Sequence, residues 1–174
     1  IYLENKCMHC RNCEKQGAGK IVYQDRPVFI EDDLDEVFKY CPTDAIQYDS
    51  SYYSLEELVD KVMEDEVFFK YGGGVTVSGG EPFMQQKKLI QLLEELHTKV
   101  HTAIETSLYT SLDLVKQAAP YLDQIYCDLK IEDDKAHLEA TGVSNTIIKE
   151  NLSYLLTSEH KDKVIVRTPL IPGY

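Results

Sequence analysis

The sequence predicts an α/β fold in which successive βα units form a parallel sheet, preceded along the chain by a small cysteine-bearing segment. Two observations predict this organisation. Strand-like and helix-like runs alternate along residues 51–174, which is typical of βα units. Four of the five cysteines lie within residues 1–50, where the apolar pattern supports no long helix. We therefore expect two domains, residues 1–50 and residues 51–174.

The first domain contains short β-like pieces. Apolar and β-branched residues predict strands at residues 20–23 and 27–30. The acidic run at residues 32–39 fits a short helix whose charges face the solvent. We therefore expect little regular structure here beyond these pieces.

The second domain begins with a helix start signal. Ser54 and Glu57 form a capping-box pattern, in which each side chain accepts a hydrogen bond from the backbone N–H of the other residue. Periodicity then predicts strands at residues 74–78, 101–106, 124–129 and 164–168, and helices at 85–97, 111–118 and 145–158. This alternation predicts four βα units. The apolar stripe of the first helix consists of Leu55, Leu58, Val59, Val62 and Met63.

Charged or glycine-rich residues follow every predicted strand. In parallel α/β sheets, active sites form at the carboxyl ends of the strands. One charged exit would be unremarkable, but charged residues at all four favour a functional face over a merely solvated rim. The exits are Gly79-Gly80-Glu81, Glu105-Thr106-Ser107, Asp128-Leu129-Lys130 and Arg167-Thr168.

The glycine-rich stretch at residues 72–82, Gly-Gly-Gly-Val-Thr-Val-Ser-Gly-Gly-Glu-Pro, does not match a phosphate-binding loop. Neither Gly-Lys-Ser/Thr nor G-x-G-x-x-G is present, and Glu81 at the strand exit would repel a phosphate. A glycine-lined carboxylate is better suited to a positively charged ligand group.

The composition excludes several partners. A formal net charge of −12 argues against nucleic acid or an anionic membrane surface as the main partner. The longest apolar runs are strand-sized and no signal peptide opens the chain, so we expect no membrane association and a cytoplasmic location. The chain begins without methionine and stops just after a strand-like run, and we interpret it as an excerpt of a longer protein.

The cysteines are arranged for metal or redox chemistry rather than for disulfides. Cys7, Cys10 and Cys13 form C-x2-C-x2-C, and Cys41 precedes a proline. Bacterial two-cluster ferredoxins use C-x2-C-x2-C-x3-C-P, in which the fourth cysteine ligates the other cluster. Here Gly17 occupies the fourth position of the first run. The second triad would fall at Glu31, Leu34 and Val37, which cannot hold iron.

The surviving four cysteines are a complete ligand set for one [4Fe–4S] cluster. A structural zinc site is the alternative, although zinc sites usually pair two C-x2-C arms. His9 is interpreted as a solvated loop histidine, and Cys127, within an apolar strand, as a small buried apolar side chain.

Taken together, these motifs resemble the radical S-adenosylmethionine (SAM) activating enzymes of glycyl radical enzymes, the family of the pyruvate formate-lyase activating enzyme. The likeness covers nearly the whole chain: the cysteine segment, then Gly-Val-Thr-Val-Ser-Gly-Gly-Glu-Pro, Glu-Thr-Ser, Asp-Leu-Lys and Val-Arg-Thr-Pro-Leu-Ile-Pro-Gly. It implies a partial (β/α)6 barrel with an N-terminal ferredoxin-like iron–sulfur insertion. Family members reduce SAM with a [4Fe–4S] cluster, and the resulting 5′-deoxyadenosyl radical removes a hydrogen atom from a glycine of a large partner enzyme. The implied partners are that glycyl radical enzyme and a flavodoxin or ferredoxin-type reductant.

The resemblance also implies roles for the strand exits in binding SAM. Gly79, Gly80 and Glu81 match the turn that binds the methionyl ammonium, where glycine lets backbone carbonyls approach and the carboxylate adds a charge-assisted hydrogen bond. Salt bridges across the barrel mouth are the alternative for the charged residues of the other exits. Asp128, Leu129 and Lys130 match the second SAM-contacting segment; Lys130 and Arg167 suit the methionyl carboxylate; Glu105 and Asp128 suit ribose hydroxyls, a cation or backbone.

The chain departs from the family pattern in two ways. The family's SAM cluster is held by C-x3-C-x2-C, which is absent here, and the first gap of the Cys7–Cys10–Cys13 run is too short to replace it. These cysteines and Cys41 match the insertion that follows that motif, so they would hold an auxiliary cluster. The catalytic cysteines are then expected upstream, and the excerpt alone is expected to be inactive. The insertion usually carries eight cysteines, which leaves its electron-relay role open.

Two other functions remain compatible with the sequence. One is a radical SAM enzyme that acts on a different substrate. The other is a ferredoxin-like electron carrier fused to a non-catalytic α/β scaffold, against which the ordered charged strand exits argue. The insertion favours a partner other than that of the minimal pyruvate formate-lyase type.

Overall fold

The computed structural model describes residues 1–30, 38–48 and 51–170. The chain forms two compact units, residues 1–52 and residues 53–174. The boundary expected from the sequence lies between residues 50 and 51.

The first unit is small and contains a two-stranded hairpin. Helix α1 (Asn12–Gln16) precedes strands β1 (Ile21–Tyr23) and β2 (Pro27–Phe29), which pair antiparallel with Val22 opposite Val28. Both predicted strands are confirmed. The predicted acidic helix falls mostly outside the described residues, and its last positions begin a 3-10 turn at Phe38–Tyr40. A small core unites this unit: Cys13, Ile21 and Ile46, with Tyr2, Tyr23 and Phe38 packed against them.

The second unit is a parallel sheet covered by helices, which confirms the predicted α/β class. Within the described residues its strand order is β3-β4-β5-β6, and all neighbouring pairs are parallel. The strands are β3 (Gly74–Val77), β4 (His101–Thr106), β5 (Gln124–Asp128) and β6 (Val164–Arg167). The helices are α2 (Leu55–Met63), α3 (Glu66–Phe69), α4 (Lys87–Leu96), α5 (Leu112–Ala118), α6 (Asp134–Thr141) and α7 (Thr146–Thr157).

The helices that the sequence predicts begin within two residues of their predicted starts. The capping box of α2 is present: Glu57 N donates to Ser54 Oγ at 3.2 Å, and Ser54 N donates to Glu57 Oε2 at 2.7 Å. Helix α6 was not predicted, because His137 is its single buried residue and the sequence there lacks an apolar stripe. Within the described part of the chain, no helix is long and apolar enough to cross a membrane.

Side-chain alternation along the strands separates an apolar face from a polar one. Ile104 and Ile125 lie side by side in the sheet and are buried under α4, α5 and α7. Glu105 and Tyr126, one position further along, therefore face the opposite side, together with Arg167. The polar face carries the charged side chains of the strand exits.

Gly74 allows close pairing at the start of β3, and we expect Gly74→Ala to destabilise the sheet. A Cβ at this position would lie 2.3 Å from the backbone oxygen of His101, so the two strands would have to move apart. Overpacking of this kind costs roughly 1–3 kcal/mol of unfolding free energy. Urea titration followed by circular dichroism measures the loss. Gly80→Ala is the matched control, since a Cβ there meets nothing within 4 Å.

Candidate functional site

Glu81 connects the exit of β3 to the exit of β4. Thr106 Oγ1 donates to Glu81 Oε1 at 2.7 Å, while the backbone N–H and the hydroxyl of Ser107 donate to Oε2 at 2.9 and 2.6 Å. Phe83 N also donates to Oε1 at 3.3 Å, which caps the 3-10 turn at Pro82–Gln85. A carboxylate accepts about four hydrogen bonds. The protein's own donors therefore already engage this side chain, and they hold the turn against β4.

The two glycines before Glu81 leave the backbone of the turn accessible. Gly79 has φ +118°, which L side chains rarely adopt, and both glycines are exposed. A Cβ at Gly80 would contact no protein atom within 4 Å. Space beside this backbone is therefore available to a ligand, and a larger residue at position 80 would enter that space rather than the protein.

A charged network joins the exits of β4, β5 and β6. Arg167 donates from Nε to Asp128 Oδ1 at 2.9 Å and from Nη1 to Glu105 Oε1 at 2.8 Å, and its guanidinium lies 5.2 Å from the ring centre of Tyr126. The hydrogen bonds to Glu105 and Asp128 hold the pKa of Arg167 above its ordinary value. Arg167 is therefore a fixed cation at the polar face of the sheet.

Lys130 and Leu129, the other two residues of the predicted second SAM-contacting segment, differ in their surroundings. Lys130 Nζ lies 3.7 Å from Asp128 Oδ2, and its side chain is 54% exposed. Leu129 packs on the apolar core, and its N–H donates to the backbone oxygen of Arg167 at 3.0 Å. The salt bridges of the alternative interpretation are thus present. Since these side chains are 30–54% exposed, each pair contributes little stability by itself and leaves them accessible to a ligand.

Two buried asparagines support these exits and were missed as site residues from the sequence. Asn151 Nδ2 donates to the backbone oxygens of Leu108 and Thr110, just beyond β4. Asn145 Nδ2 donates to the backbone oxygens of Ile131 and Glu132, beyond β5. The sequence did contain a signal for Asn151: it is a polar residue on the helical face that Ile148, Leu152 and Leu155 otherwise make apolar.

The first unit brings its four predicted ligand cysteines to one cavity. Cys7, Cys10, Cys13 and Cys41 line a cavity of about 20 Å³, together with Tyr23 and Ala45. Ala45 N donates to Cys41 Sγ at 3.1 Å, and His9 N donates to Cys7 Sγ at 3.4 Å. Hydrogen bonds to cysteine sulfur are one means by which proteins tune iron–sulfur clusters. The donor set therefore fits a cluster with four thiolate ligands.

The thiols of this cavity differ in their environments. Burial raises the pKa of Cys13. Burial acts in the same direction on Cys41, but the backbone N–H groups of Thr43, Ile46 and Ala45 outweigh it and place the pKa of Cys41 below its ordinary value. The sulfur of Cys41 is therefore stabilised as the thiolate, the form that metals bind.

The backbone around these cysteines is strained, and the cavity is narrow. His9, Arg11 and Asp44 have φ values of +54°, +59° and +49°, which are uncommon for residues other than glycine. A volume of about 20 Å³ is enough for one water. In the described residues, no three His, Cys, Asp or Glu side chains form a group that could hold a single metal ion.

His9 and Cys127 were interpreted from the sequence as a solvated loop residue and a buried core residue, and each has the surroundings expected for that role. The His9 ring is exposed and hydrogen-bonded to the hydroxyl of Tyr23. Cys127 is 2% exposed in the core of the second unit, and burial raises its pKa to about 12. The interpretation of Cys127 as a small buried apolar side chain is confirmed.

Comparisons with known proteins show which proteins the chain resembles. The chain is 43% identical over 136 residues to the isethionate sulfite-lyase activating enzyme of Nitratidesulfovibrio vulgaris, covering 77% of the chain and 44% of the relative. It is 30% identical to the indoleacetate decarboxylase activating enzyme of Tractidigestivibacter scatoligenes, covering 100% of the chain and 60% of the relative. Identity to the 4-hydroxyphenylacetate decarboxylase activating enzyme of Clostridioides difficile is 34%, over 98% of the chain and 56% of the relative. The chain thus spans about half the length of these relatives.

A solved structure and a family model give matches of the same kind. A solved domain of a pyruvate formate-lyase-activating enzyme from Bacteroides vulgatus superposes with a TM-score of 0.52 and 31% identity, covering 59% of this chain and 63% of that one. A family model described as the radical SAM superfamily matches residues 39–174. These matches confirm the resemblance drawn from the sequence motifs, and the chain belongs to the radical SAM superfamily.

Proposed function

We propose that this chain forms the body of a radical SAM activating enzyme, which reductively cleaves SAM and removes a hydrogen atom from a glycine of a partner glycyl radical enzyme. The observation that carries the proposal is the edge of the parallel sheet at which an accessible glycine turn, the carboxylate of Glu81 and the cations Lys130 and Arg167 follow successive strands. Relatives named as activating enzymes support the assignment.

The methionyl end of SAM carries both an ammonium and a carboxylate, which need acceptors and cations respectively. The backbone oxygens at Gly79 and Gly80 are the proposed acceptors, with Glu81 as the charged residue of the same turn. Arg167 and Lys130 are the proposed partners of the carboxylate, because charge-assisted hydrogen bonds to carboxylates are strong where water is excluded. Glu105 and Asp128 orient Arg167 and have further acceptor capacity for ribose hydroxyls or a cation.

The first domain, residues 1–50, is proposed to be a ferredoxin-like insertion, and residues 51–174 a partial barrel. Cys7, Cys10, Cys13 and Cys41 would hold one auxiliary [4Fe–4S] cluster, which supplies one-electron transfer when bound. The 174 residues contain no C-x3-C-x2-C motif. We therefore propose that other cysteines of the complete gene product hold the cluster that binds SAM.

The proposed partners are a glycyl radical enzyme and a flavodoxin or ferredoxin-type reductant in the cytoplasm. The relatives carry names of three different activated enzymes, and the structural neighbour carries a fourth. We therefore propose a glycyl radical enzyme as the partner without specifying the pyruvate formate-lyase type.

Product analysis tests the proposed function. The complete gene product, reconstituted anaerobically and given SAM and a reductant, should form 5′-deoxyadenosine, and a matching glycyl radical enzyme should acquire a radical visible by electron paramagnetic resonance. The 174-residue chain should form none, since it lacks the C-x3-C-x2-C motif. Cleavage of SAM by this chain alone would show that its cysteines were wrongly assigned. Absence of 5′-deoxyadenosine from the complete protein would overturn the proposal, and its formation without any radical transfer to a glycyl radical enzyme would indicate another substrate.

A further inference from the structure

Helix α7 and its N-cap residue carry two fully buried side-chain amides, each of which donates to two backbone carbonyls in an irregular segment. Asn151 donates to Leu108 O at 2.9 Å and to Thr110 O at 2.8 Å. Asn145 donates to Ile131 O and to Glu132 O, both at 2.9 Å. Both asparagines are 0% exposed. We call residues 107–110 the β4 exit loop and residues 130–133 the β5 exit loop.

The nitrogen atoms of these side-chain amides donate hydrogen bonds, but their oxygen atoms accept none from the described residues. In the part of the chain that the structure describes, neither Asn145 Oδ1 nor Asn151 Oδ1 has a hydrogen-bond partner, although both atoms are buried. A buried unpaired acceptor costs free energy, so two donated hydrogen bonds per residue must offset that cost. Apolar residues of similar size would pack without the cost but would remove the amide hydrogen bonds to Thr110 O, Ile131 O and Glu132 O. Leu108 O would keep only its hydrogen bond from Thr110 N. The amides therefore act on the loops, in addition to filling the core.

The β4 exit loop is the one that holds Glu81. Its first residue, Ser107, donates two of the hydrogen bonds to the Glu81 carboxylate. Leu108 has φ +60°, a conformation that a non-glycine residue keeps only when its surroundings hold it. The side-chain amide of Asn151 donates to the backbone oxygens of Leu108 and Thr110. It therefore holds Leu108, the residue with the strained backbone, beside Ser107.

The β5 exit loop begins with Lys130, and Asn145 fixes the two residues that follow it. The asparagines are six positions apart on or at the start of one helix, a rise of about 9 Å at 1.5 Å per residue. One rigid element thus sets the separation of the two exit loops.

We propose that Asn151 and Asn145 are positioning residues for the SAM site, through which α7 fixes the β4 and β5 exit loops relative to each other. The inference rests on the proposed function of those loops. In this proposal α7 does more than pack in the core. Asn145 and Asn151, which lie on the far side of the loops from the ligand, determine the affinity for SAM.

The test compares Asn151→Leu with Leu152→Ala, the next residue of the same helix, which is 8% exposed and packs in the core. SAM affinity is measured by calorimetry on the anaerobically reconstituted complete gene product, and hydrogen exchange is followed at the amides of the exit loops. Asn151→Leu should weaken SAM binding by about tenfold, equivalent to the loss of one well-placed hydrogen bond. It should also speed exchange at Leu108 and Thr110, whose amides donate to Thr106 Oγ1 and Leu108 O.

The control separates positioning from stability. Leu152→Ala should lower the melting temperature without changing SAM affinity by more than about twofold. Asn151→Ser keeps one donor and should give an intermediate affinity, which preserves the test if Asn151→Leu does not fold. Asn145→Leu should speed exchange in the β5 exit loop. Folded asparagine variants with wild-type SAM affinity and wild-type loop exchange would overturn the inference. A wild-type protein that binds no SAM would instead refute the proposed function, while loop exchange would still report on the asparagines.

Discussion

Anaerobic reconstitution of the chain is expected to load about four irons and four sulfides, and Cys41→Ser is expected to remove most of them. Cys41 lines the same cavity as the other three ligand cysteines, and backbone N–H groups stabilise its thiolate. A serine hydroxyl ionises far less readily than this thiol and is a poor iron ligand, so one substitution leaves the cluster with three ligands. Iron and sulfide analysis, with the visible absorbance of the cluster, measures the loss.

Cys127→Ser is the matched control for this prediction. Cys127 belongs to the core of the second unit, whereas the cysteine cavity is lined by residues of the first unit. Loading of iron should be unchanged in this variant, because the substitution alters the core of the second unit and none of the four predicted ligands. Stoichiometric zinc with no broad absorbance in the reconstituted wild-type chain would contradict the cluster assignment and favour the zinc site.

The strands and most helices were predictable because each follows a local rule. Alternation and β-branched residues located β4 at its observed bounds, and the Ser54–Glu57 capping box located the start of α2. Helix α6 obeys a different rule. Its start is set by Asp133, which accepts a hydrogen bond from Ala136 N, and its end by Gly142 with φ +82°, while little of its surface is buried. Caps without periodicity were not sufficient to reveal it from the sequence.

The candidate site was predictable as a set of residues but not as a set of contacts. Parallel strands bring their carboxyl ends to one edge, so the sequence order alone grouped Glu81, Glu105, Asp128 and Arg167. Which carboxylate meets which donor depends on strand register and on loop conformation. The pairing of Arg167 with Glu105, two strands away, and the capture of Glu81 by the β4 exit loop follow from that three-dimensional arrangement.

The cysteines show the same division between chemistry and geometry. Their spacing predicts four ligands for one centre, and the structure brings all four cysteines to a shared cavity. The narrowness of that cavity and the positive φ angles of His9 and Arg11 have no counterpart in the sequence pattern. Non-glycine residues at such angles store strain that only the folded surroundings can maintain.

In the complete, reconstituted protein, Glu81→Gln is expected to weaken SAM binding by about ten- to a hundredfold. The substitution removes the negative charge that we propose attracts the ammonium, and we set this loss equal to the 1.5–3 kcal/mol, roughly, of a charge-assisted hydrogen bond. It also turns an amide N–H₂ group toward the donors of Thr106 and Ser107, which need acceptors. Titration calorimetry with SAM measures the change in affinity.

Ser107→Ala distinguishes direct contact from support of the turn. It removes one donor to Glu81 but leaves the carboxylate and the backbone N–H bond of residue 107 in place. If Glu81 acts through its charge on the ammonium, Ser107→Ala should reduce SAM affinity much less than Glu81→Gln does. Equal losses would assign Glu81 to holding the turn.

Gly80→Val should weaken SAM binding at least as much as Glu81→Gln, because its β-branched side chain would fill the space through which the ligand reaches the backbone. The protein itself tolerates a Cβ there, since none of its atoms lies within 4 Å. Iron loading of residues 1–52 should be unchanged in both variants, as these cysteines belong to a separate compact unit. If Glu81 only caps the 3-10 turn through Phe83, Glu81→Gln would cost some stability and leave affinity unaltered. Wild-type SAM affinity in a folded Glu81→Gln protein would therefore exclude the ammonium site.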